Sequence, residues 1–248
     1  MSMHINKTQV SLPKPYKARV TEYRMLNNRN LLLELSYLDP QEMNFVAGQF
    51  IVIRIKENTY RSYSICSDPL IKSSLKIVAS VEHEGVGSNY LKNLKLGDIV
   101  EFLGPSGKFR FNSNLQNVLE INFVATGTGI APFISMLYEI SETKTDTKIN
   151  LYFGARHEDE IIFEDKLAQF EEKLANFNFI PTISRPSNDW NRKTGYVTQF
   201  LSDANTKADF YLCGHPQMIE DAVEILSGKG VAKEKIHFEK FTVASPKK

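Results

Sequence analysis

The chain has 248 residues, of which 42% are hydrophobic, and its formal net charge is +1. This length allows a sizeable core in one large domain or in two domains of about 100 to 150 residues, and we expect two. Because Cys66 and Cys213 are the only cysteines, the sequence excludes a disulfide framework, a structural zinc site and a cysteine-bound iron–sulfur cluster.

The first half of the chain has the pattern of closely spaced strands. Between residues 16 and 111, short apolar runs are separated by Gly, Pro, Asn and Asp, without helical stretches long enough for crossover connections. This pattern predicts an antiparallel barrel or sandwich. The exception is "NYLKNLKLGD", in which Tyr90, Leu91 and Leu94 share one helical face, so we predict a short helix that ends at Gly97.

The motif "RSYS" at residues 61–64 brings a cation, an aromatic ring and two hydroxyls to the end of a strand-like run. Strand alternation places Arg61 and Tyr63 on one face and Ser62 and Ser64 on the other. A guanidinium suits a pyrophosphate, and a tyrosine ring can cover a flat heterocycle.

A second glycine-containing stretch, "EGVGSNYL", stands just before the predicted short helix. Its Gly85, Gly87 and Ser88 form a second candidate phosphate cradle. Taken alone, each of the two motifs is also compatible with an ordinary turn that binds no ligand. Together they predict a site for an anionic, aromatic ligand in the first half.

After "FNSNLQN" the pattern changes to apolar strands that alternate with amphipathic helices. The runs in chain order are strand VLEINFVA, helix APFISMLYEI, strand INLYFGA, helix DKLAQFEEKLANF, strand FIPTIS, strand DFYLCG, helix PQMIEDAVEILSG and strand IHFEKF. Such alternation indicates βαβ units and a buried parallel sheet. We place the domain boundary near residues 112–117.

The segment "FVATGTGIAP" lies where an apolar strand gives way to a helix. Gly127 and Gly129 would let the backbone approach a ligand, and the helix N-terminus offers unpaired N–H groups to a phosphate. A tight strand-to-helix turn is the structural alternative. The usual dinucleotide fingerprint is incomplete, because Pro132 stands where its third glycine belongs and Arg156, not an acidic residue, follows the next strand.

Two later segments also follow strands. "DFYLCGHPQM" puts Cys213 and Gly214 at the carboxyl edge of the sheet, where open α/β folds bind ligands, although a lone cysteine is more often a core residue. The loop "SRPSNDWNRKTGY" is either a solvated loop or a site for a phosphate monoester. Its candidate phosphate ligands are Ser184, Arg185, Arg192 and Lys193.

Several classes of site and partner are not expected. The five histidines are scattered without metal-ligand spacing, so we predict no metal. The N-terminus lacks an apolar signal core, and no apolar run approaches the roughly 18 residues of a membrane span. We therefore expect a soluble, cytoplasmic protein with no membrane insertion and no nucleic-acid partner.

The order and spacing of the motifs resemble the ferredoxin-NADP reductase family, from about residue 18 to residue 241. In that family an antiparallel β-barrel that binds FAD is followed by a Rossmann-like α/β domain, with a parallel sheet, that binds a nicotinamide nucleotide. The resemblance therefore implies an FAD-binding domain at residues 1–112 and an NAD(P)-binding domain at residues 117–248.

The resemblance also implies roles for the residues on the FAD side. "RSYS" is similar to the family's flavin motif, which implies Arg61 on the FAD pyrophosphate, Tyr63 against the isoalloxazine and Ser64 hydrogen-bonded near the reactive flavin nitrogen. "GVGS" resembles its phosphate-binding turn, whose glycine and serine would donate hydrogen bonds. The remaining FAD-binding candidates are Ser62, Val78, Gly87 and Ser88.

On the nucleotide side, "TGTGIAPF" resembles the loop that holds the nucleotide pyrophosphate, and "YLCG" the segment whose cysteine lies beside the nicotinamide. "FEKF" resembles the C-terminal glutamate and aromatic residue of the family, so Glu239 and Phe241 join Ser64 and Cys213 as candidate catalytic residues. Phe241 is the candidate flavin shield, and the tail "TVASPKK" after it is the alternative cover. The nucleotide-binding candidates are Thr126, Gly127, Thr128, Gly129, Ser184, Arg185, Cys213, Gly214 and Phe241.

The implied activity is hydride transfer between NAD(P)H and FAD, followed by single-electron transfer to a separate ferredoxin or flavodoxin. Residues 1–112 hold 15 Lys and Arg against 10 Asp and Glu, which would suit an acidic carrier. Ser184 and Arg185 resemble residues that hold the 2′-phosphate of NADP, so we favour NADP(H) and keep NAD(H) as the alternative. The alternative functions are an NADH-dependent reductase component of an oxygenase or cytochrome system, and a flavin-carrying relay subunit without a nucleotide reaction.

Overall fold

The structure, a computed structural model, describes residues 12–112 and 114–240. The candidate shield Phe241 and the tail after it lie outside the described residues. Within the described range, twelve strands form two six-stranded sheets, one from each half of the chain. Across this range, no helix has both the length and the apolar character that crossing a bilayer requires.

The first sheet is antiparallel throughout, in the order β4-β3-β6-β1-β2-β5. Its strands are β1 (Lys14–Met25), β2 (Asn30–Asp39), β3 (Phe50–Lys56), β4 (Thr59–Ser64), β5 (Ser74–Ser80) and β6 (Ile99–Ser106). In β3, Ile51 and Ile53 are fully buried and Arg54 is exposed, as alternation along a half-buried strand requires. A bridge between Ile65 and Ile77 brings the two edge strands together at one end, which gives a half-barrel.

The short helix of the first half is α1 (Val86–Asn93). It begins at Val86, so Gly87 and Ser88 lie in its first turn and not in a loop before it. The predicted end at Gly97 was wrong. The helix stops four residues earlier because Leu94 adopts an extended backbone, with its N–H bonded to the Leu91 carbonyl, while Gly97 occupies a later turn with φ +94°.

The second sheet is parallel, in the order β10-β9-β8-β7-β11-β12. Its strands are β7 (Glu120–Thr126), β8 (Lys148–Ala155), β9 (Phe177–Ile183), β10 (Lys193–Thr194), β11 (Asp209–Gly214) and β12 (Ile236–Lys240). The predicted alternation of strands and helices is confirmed, and the two-residue β10 is an addition. The strand order reverses direction between β7 and β11, which makes their carboxyl ends the expected ligand crevice.

Helices cover both faces of this sheet. They are α2 (Ala131–Ser141), α3 (Glu164–Lys173) and α4 (Pro216–Gly228). Buried side chains of α2 and α3 share one apolar cluster, whereas those of α4 belong to another on the opposite face. A sheet covered on both sides explains why its strands are continuous apolar runs.

The apolar cluster under α2 contains side chains from both halves of the chain. The first half contributes residues such as Val78 and Phe109, and the second contributes residues such as Phe133 and Cys213. The ring of Phe109 lies 6.1 Å from that of Phe133. The two sheets are therefore joined through a common buried cluster.

Candidate functional site

Arg61 and Tyr63 lie together on one face of β4, as predicted. The strand pairs with β3, where Tyr63 stands opposite Ile51 and Arg61 opposite Ile53. Both side chains extend past the core to Gly87 in α1. A Cβ at Gly87 would lie 2.9 Å from the Tyr63 hydroxyl and 3.1 Å from Arg61 Cγ, so only glycine leaves these side chains where they are.

The N-terminus of α1 is free of side-chain caps and has no acidic residue in its first turn. Its unpaired N–H groups carry partial positive charge. Arg61 adds a full charge beside them and uses one N–H on the Tyr60 carbonyl, at 2.8 Å. Ser88 directs its hydroxyl to the Ser80 carbonyl, at 3.4 Å. This corner has the charge, the donors and the open backbone that a pyrophosphate needs, so it fits the diphosphate of FAD.

The other FAD-side candidates are spread around this corner. Ser62 faces away from Arg61 and Tyr63 and is exposed. Ser64 is buried at the end of β4, and its hydroxyl makes no hydrogen bond to another described residue. Val78 is 3% exposed, inside the cluster that joins the two halves. The structure therefore brings Arg61 and Tyr63 together with α1, and it places Ser64 in the next, buried position of β4.

The carboxyl ends of β7 and β11 approach each other closely. A Cβ at Gly129 would overlap the carbonyl oxygen of Cys213, and one at Gly214 would overlap Thr126 Oγ1. These two glycines are needed for contact between protein segments. Gly127 is different, since it has φ +54° and open space around its Cα. A ligand can therefore approach the backbone of this turn at Gly127.

His215 is a residue at this edge that sequence reasoning missed. Its backbone N–H donates to Thr126 Oγ1 at 2.9 Å, and its Nδ1 accepts from the Gln217 N–H at 3.2 Å, which caps α4. The sequence does contain a signal for this cap. His215 is followed directly by a proline and then by an apolar helical pattern. Thr128 is half-buried, and its carbonyl accepts the Ala131 N–H at the start of α2. Two helix N-termini thus flank the crevice.

Cys213 and Glu239 are in register on neighbouring parallel strands, so their side chains project from the same face. Cys213 is fully buried, and burial, with the nearby Glu239 carboxylate, raises the pKa of its thiol well above the usual value. Burial also raises the pKa of Glu239 to about 7. The carboxyl group can therefore hold or release a proton near neutral pH.

The loop after β9 is bound alongside the end of β8. The N–H of Ser184 donates to the Ala155 carbonyl at 3.0 Å, and that of Arg185 to the Arg156 carbonyl at 2.9 Å. His157 Nδ1 lies 3.1 Å from the Arg185 carbonyl oxygen. The Arg185 side chain is exposed and forms no ion pair with another described residue.

The two other basic residues of this loop are engaged elsewhere. Arg192 pairs with Glu164 at 3.0 Å and packs against the Trp190 ring, and Lys193 lies over the Phe200 ring. Of the four predicted phosphate ligands, Arg185 is therefore the cation left available within the described residues, and the Ser184 hydroxyl donates to the Ala155 carbonyl at 3.5 Å. Within residues 12–112 and 114–240, no group of three or more His, Cys, Asp or Glu side chains is arranged to hold a metal ion.

Comparisons with known proteins assign each half of the chain to a protein family. Residues 17–111 match the family described as oxidoreductase FAD-binding domain, and residues 123–224 match the oxidoreductase NAD-binding domain. The chain belongs to the ferredoxin-NADP reductase type of flavoprotein reductases. It is an oxidoreductase with an FAD-binding and an NAD-binding domain.

The curated relatives include electron transfer components of dioxygenases. The toluate 1,2-dioxygenase component of Pseudomonas putida is 27% identical over 93% of this chain and 68% of its own length. The 2-halobenzoate 1,2-dioxygenase component of Burkholderia cepacia is 30% identical over 90% and 66%, and the anthranilate 1,2-dioxygenase component of Acinetobacter baylyi is 30% identical over 81% and 59%. The chain thus spans 59% to 68% of the lengths of these relatives.

Solved structures share the fold. The Amycolatopsis cytochrome P450 reductase GcoB superposes with a TM-score of 0.87 at 24% identity, over 94% of this chain and 71% of that one. A ferredoxin NADP+ reductase from Neisseria gonorrhoeae, with bound FAD and NADP, superposes with a TM-score of 0.80 at 23% identity, over 92% and 98%. The predicted fold class, an antiparallel barrel followed by a parallel-sheet α/β domain, is confirmed.

The contact at Gly87 generates a first prediction. In Gly87→Ala the new methyl group crowds the Tyr63 hydroxyl and the stem of Arg61, so both side chains must shift and FAD affinity should fall about tenfold or more. The matched control is Gly228→Ala at the end of α4, whose methyl group meets nothing within 4 Å. Flavin absorbance per protein after dilution measures the affinity. Equal flavin retention in the two variants would contradict the role of Gly87.

The raised pKa of Glu239 generates a second prediction. The folded protein binds this proton more tightly than the unfolded chain, whose carboxyl has a pKa near 4.5, so stability is lost as the pH rises from about 4.5 to about 7. Glu239→Gln removes this penalty and should raise the free energy of unfolding by about 1 to 3 kcal/mol at pH 8, but not at pH 4.5.

Urea unfolding at the two pH values measures the effect of Glu239→Gln. Glu172→Gln, at an exposed position of α3, is the control and should show no pH-dependent gain. A Glu239→Gln gain that is the same at both pH values would show that Glu239 is not the titrating group.

Proposed function

We propose that the protein transfers a hydride from a nicotinamide nucleotide to FAD and then releases single electrons to a carrier protein. The observation that supports this most strongly is that β5, at the interface between the halves, contacts both the flavin motif and the nucleotide turn. Ile65, next to Ser64, bridges to Ile77 of β5, and β5 contacts the Gly127–Ile130 turn. One strand thus lies between the two motifs.

Hydride transfer requires the nicotinamide and flavin rings to stack within roughly 3 to 3.5 Å, and the fixed interface between the halves would hold them there. When bound, FAD supplies the conversion between two-electron and one-electron transfer. The protein side chains bind the cofactors and orient their rings. We assign Arg61, with the N-terminus of α1, to the pyrophosphate, Tyr63 to the flavin face and the Ser64 hydroxyl to the flavin edge.

On the nucleotide side, we assign Cys213 and Gly214 to the border of the nicotinamide. Glu239 would hold or release a proton near neutral pH, as its raised pKa allows. Phe241 remains the proposed flavin shield. The other proposed cofactor contacts are Ser62, Val78, Gly87, Ser88, Thr126, Gly127, Thr128, Gly129, Ser184 and Arg185.

We also propose the division into an FAD-binding domain at residues 1–112 and an NAD(P)-binding domain at residues 117–248. The proposed boundary falls between the end of β6 at Ser106 and the start of β7 at Glu120, which supports it. A cytoplasmic location is proposed because both cysteines are free and buried, so the fold needs no oxidising compartment.

NADP(H) is the proposed nucleotide. The exposed guanidinium of Arg185, which follows Ser184 in the chain, suits a 2′-phosphate. A second candidate, NAD(H), is favoured by the engagement of Arg192 with Glu164 and by similarity to an NADH-cytochrome b5 reductase of Yarrowia lipolytica, 31% identical over 64% of this chain and 57% of that protein.

The proposed acceptor is a ferredoxin or flavodoxin outside this sequence. The two cysteines present here are too few to hold a cluster, so electrons must leave the flavin for another redox centre. The dioxygenase electron transfer components among the relatives support the second candidate function, an NADH-dependent reductase component of an oxygenase or cytochrome system.

The direct test of the proposal is an anaerobic titration. The purified protein should release FAD on denaturation, and its bound flavin should be bleached by NADPH, NADH or both. Failure of both nucleotides, with an artificial acceptor also left unreduced, would contradict the proposal and favour an electron-relay subunit.

A third prediction concerns the nucleotide. Arg185→Ala should lower kcat/KM for NADPH by about 10- to 100-fold and leave kcat/KM for NADH within about twofold, because the guanidinium would contact only the 2′-phosphate. Arg192→Ala, in the same loop but paired with Glu164, is the control and should change neither value by more than about twofold. Equal losses for both nucleotides in Arg185→Ala would contradict the assignment.

A further inference from the structure

The turn between β1 and β2 reaches from the first half of the chain into the second. Asn27 Oδ1 accepts the N–H groups of Arg29 and Asn30, at 3.0 and 2.8 Å, which folds the turn. Asn27 Nδ2 donates to the Asp159 carbonyl at 2.8 Å. Leu26, in the same turn, packs against the apolar cluster shared by both halves. This turn is therefore anchored on the second half by polar and apolar contacts.

Arg29 adds a charged link across the same boundary. Its Nη1 donates to the carboxylate of Glu160, and its Nε lies 3.5 Å from Glu82 Oε1. The side chains of Arg29 and Glu160 are 27% and 17% exposed, against 50% and 43% for the Arg54–Glu101 pair within the first sheet. Less screening by water makes the Arg29–Glu160 pair the stronger constraint of the two.

Hydrogen bonds connect segment 156–160 to the loop after β9. The second carboxylate oxygen of Glu160 accepts the Arg156 N–H at 3.2 Å. The Arg156 carbonyl accepts the Arg185 N–H at 2.9 Å. Glu158 Oε1 accepts the Ser187 N–H at 2.7 Å. A continuous set of hydrogen bonds therefore runs from Arg29 to the loop at residues 184–187.

We propose that Arg29 is a positioning residue for the nucleotide loop 184–187. From the FAD-binding half it holds segment 156–160, which in turn holds the backbone of the loop. This inference rests on the proposed function, which assigns that loop to the nucleotide. Its consequence is that the nucleotide site is completed by a residue of the other half, so nucleotide affinity depends on the contact between the halves.

Removing the cation leaves the partly buried Glu160 carboxylate without its cross-domain partner, which destabilises segment 156–160. In Arg29→Met, amide hydrogen exchange of the peptides covering 156–160 and 184–187 should therefore be faster by about tenfold, with unchanged FAD content. Arg54→Met, which removes an arginine paired with a glutamate inside the first sheet, is the matched control and should leave both peptides unchanged.

Glu160→Gln, made in the other half, should speed exchange in the same two peptides, and adding it to Arg29→Met should bring little further increase, because both changes break one link. Arg29→Lys keeps the charge and should restore part of the protection. The dissociation constant for the proposed nucleotide, measured by flavin absorbance, should rise several-fold in Arg29→Met but not in Arg54→Met.

Unchanged exchange at 184–187 in both Arg29→Met and Glu160→Gln would overturn the role of Arg29. Exchange is measured without nucleotide, so it decides this point independently of catalysis. A parent protein whose flavin neither nucleotide reduces would instead overturn the proposed function.

Discussion

The apolar contact between the two halves is the constraint on which the rest of the structure depends. Phe109, which follows β6, lies with its ring 6.1 Å from that of Phe133 in α2 and 5.9 Å from that of Tyr211 in β11. The Arg61 corner belongs to one half and the Gly127 turn to the other. Only a fixed interface can keep a flavin and a nicotinamide at a reacting distance, and close packing of aromatic rings supplies that rigidity.

Burial at this interface also sets the chemistry of the groups that border it. It raises the pKa of the Cys66 thiol to about 12 and that of the Cys213 thiol well above its usual value, so both thiols stay protonated and are poor nucleophiles. Cys213 therefore contributes shape rather than reactivity. Glu239, in register with it, has a pKa of about 7 and is the group of this pair that exchanges protons under ordinary conditions.

Much of the fold could be predicted from the sequence, because strand alternation and helical periodicity are local patterns. The same alternation predicted that Arg61 and Tyr63 share a face. What could not be predicted depends on contacts between distant segments: Gly127 and Gly129 look equivalent in sequence, yet only Gly129 is needed for packing against β11. The pairing of Arg29 with Glu160, 131 residues away, leaves no local pattern at all.

The proposed function requires the two halves to present nicotinamide and flavin to each other in a single fixed geometry. The most direct measurement is anaerobic rapid mixing with nicotinamide nucleotide deuterated at C4 on one face or on the other. A fixed geometry predicts that flavin reduction slows by a primary isotope effect of several-fold for one of the two forms and not for the other. A similar isotope effect with both deuterated forms would contradict the claim, because hydride would then leave from either face of the nicotinamide.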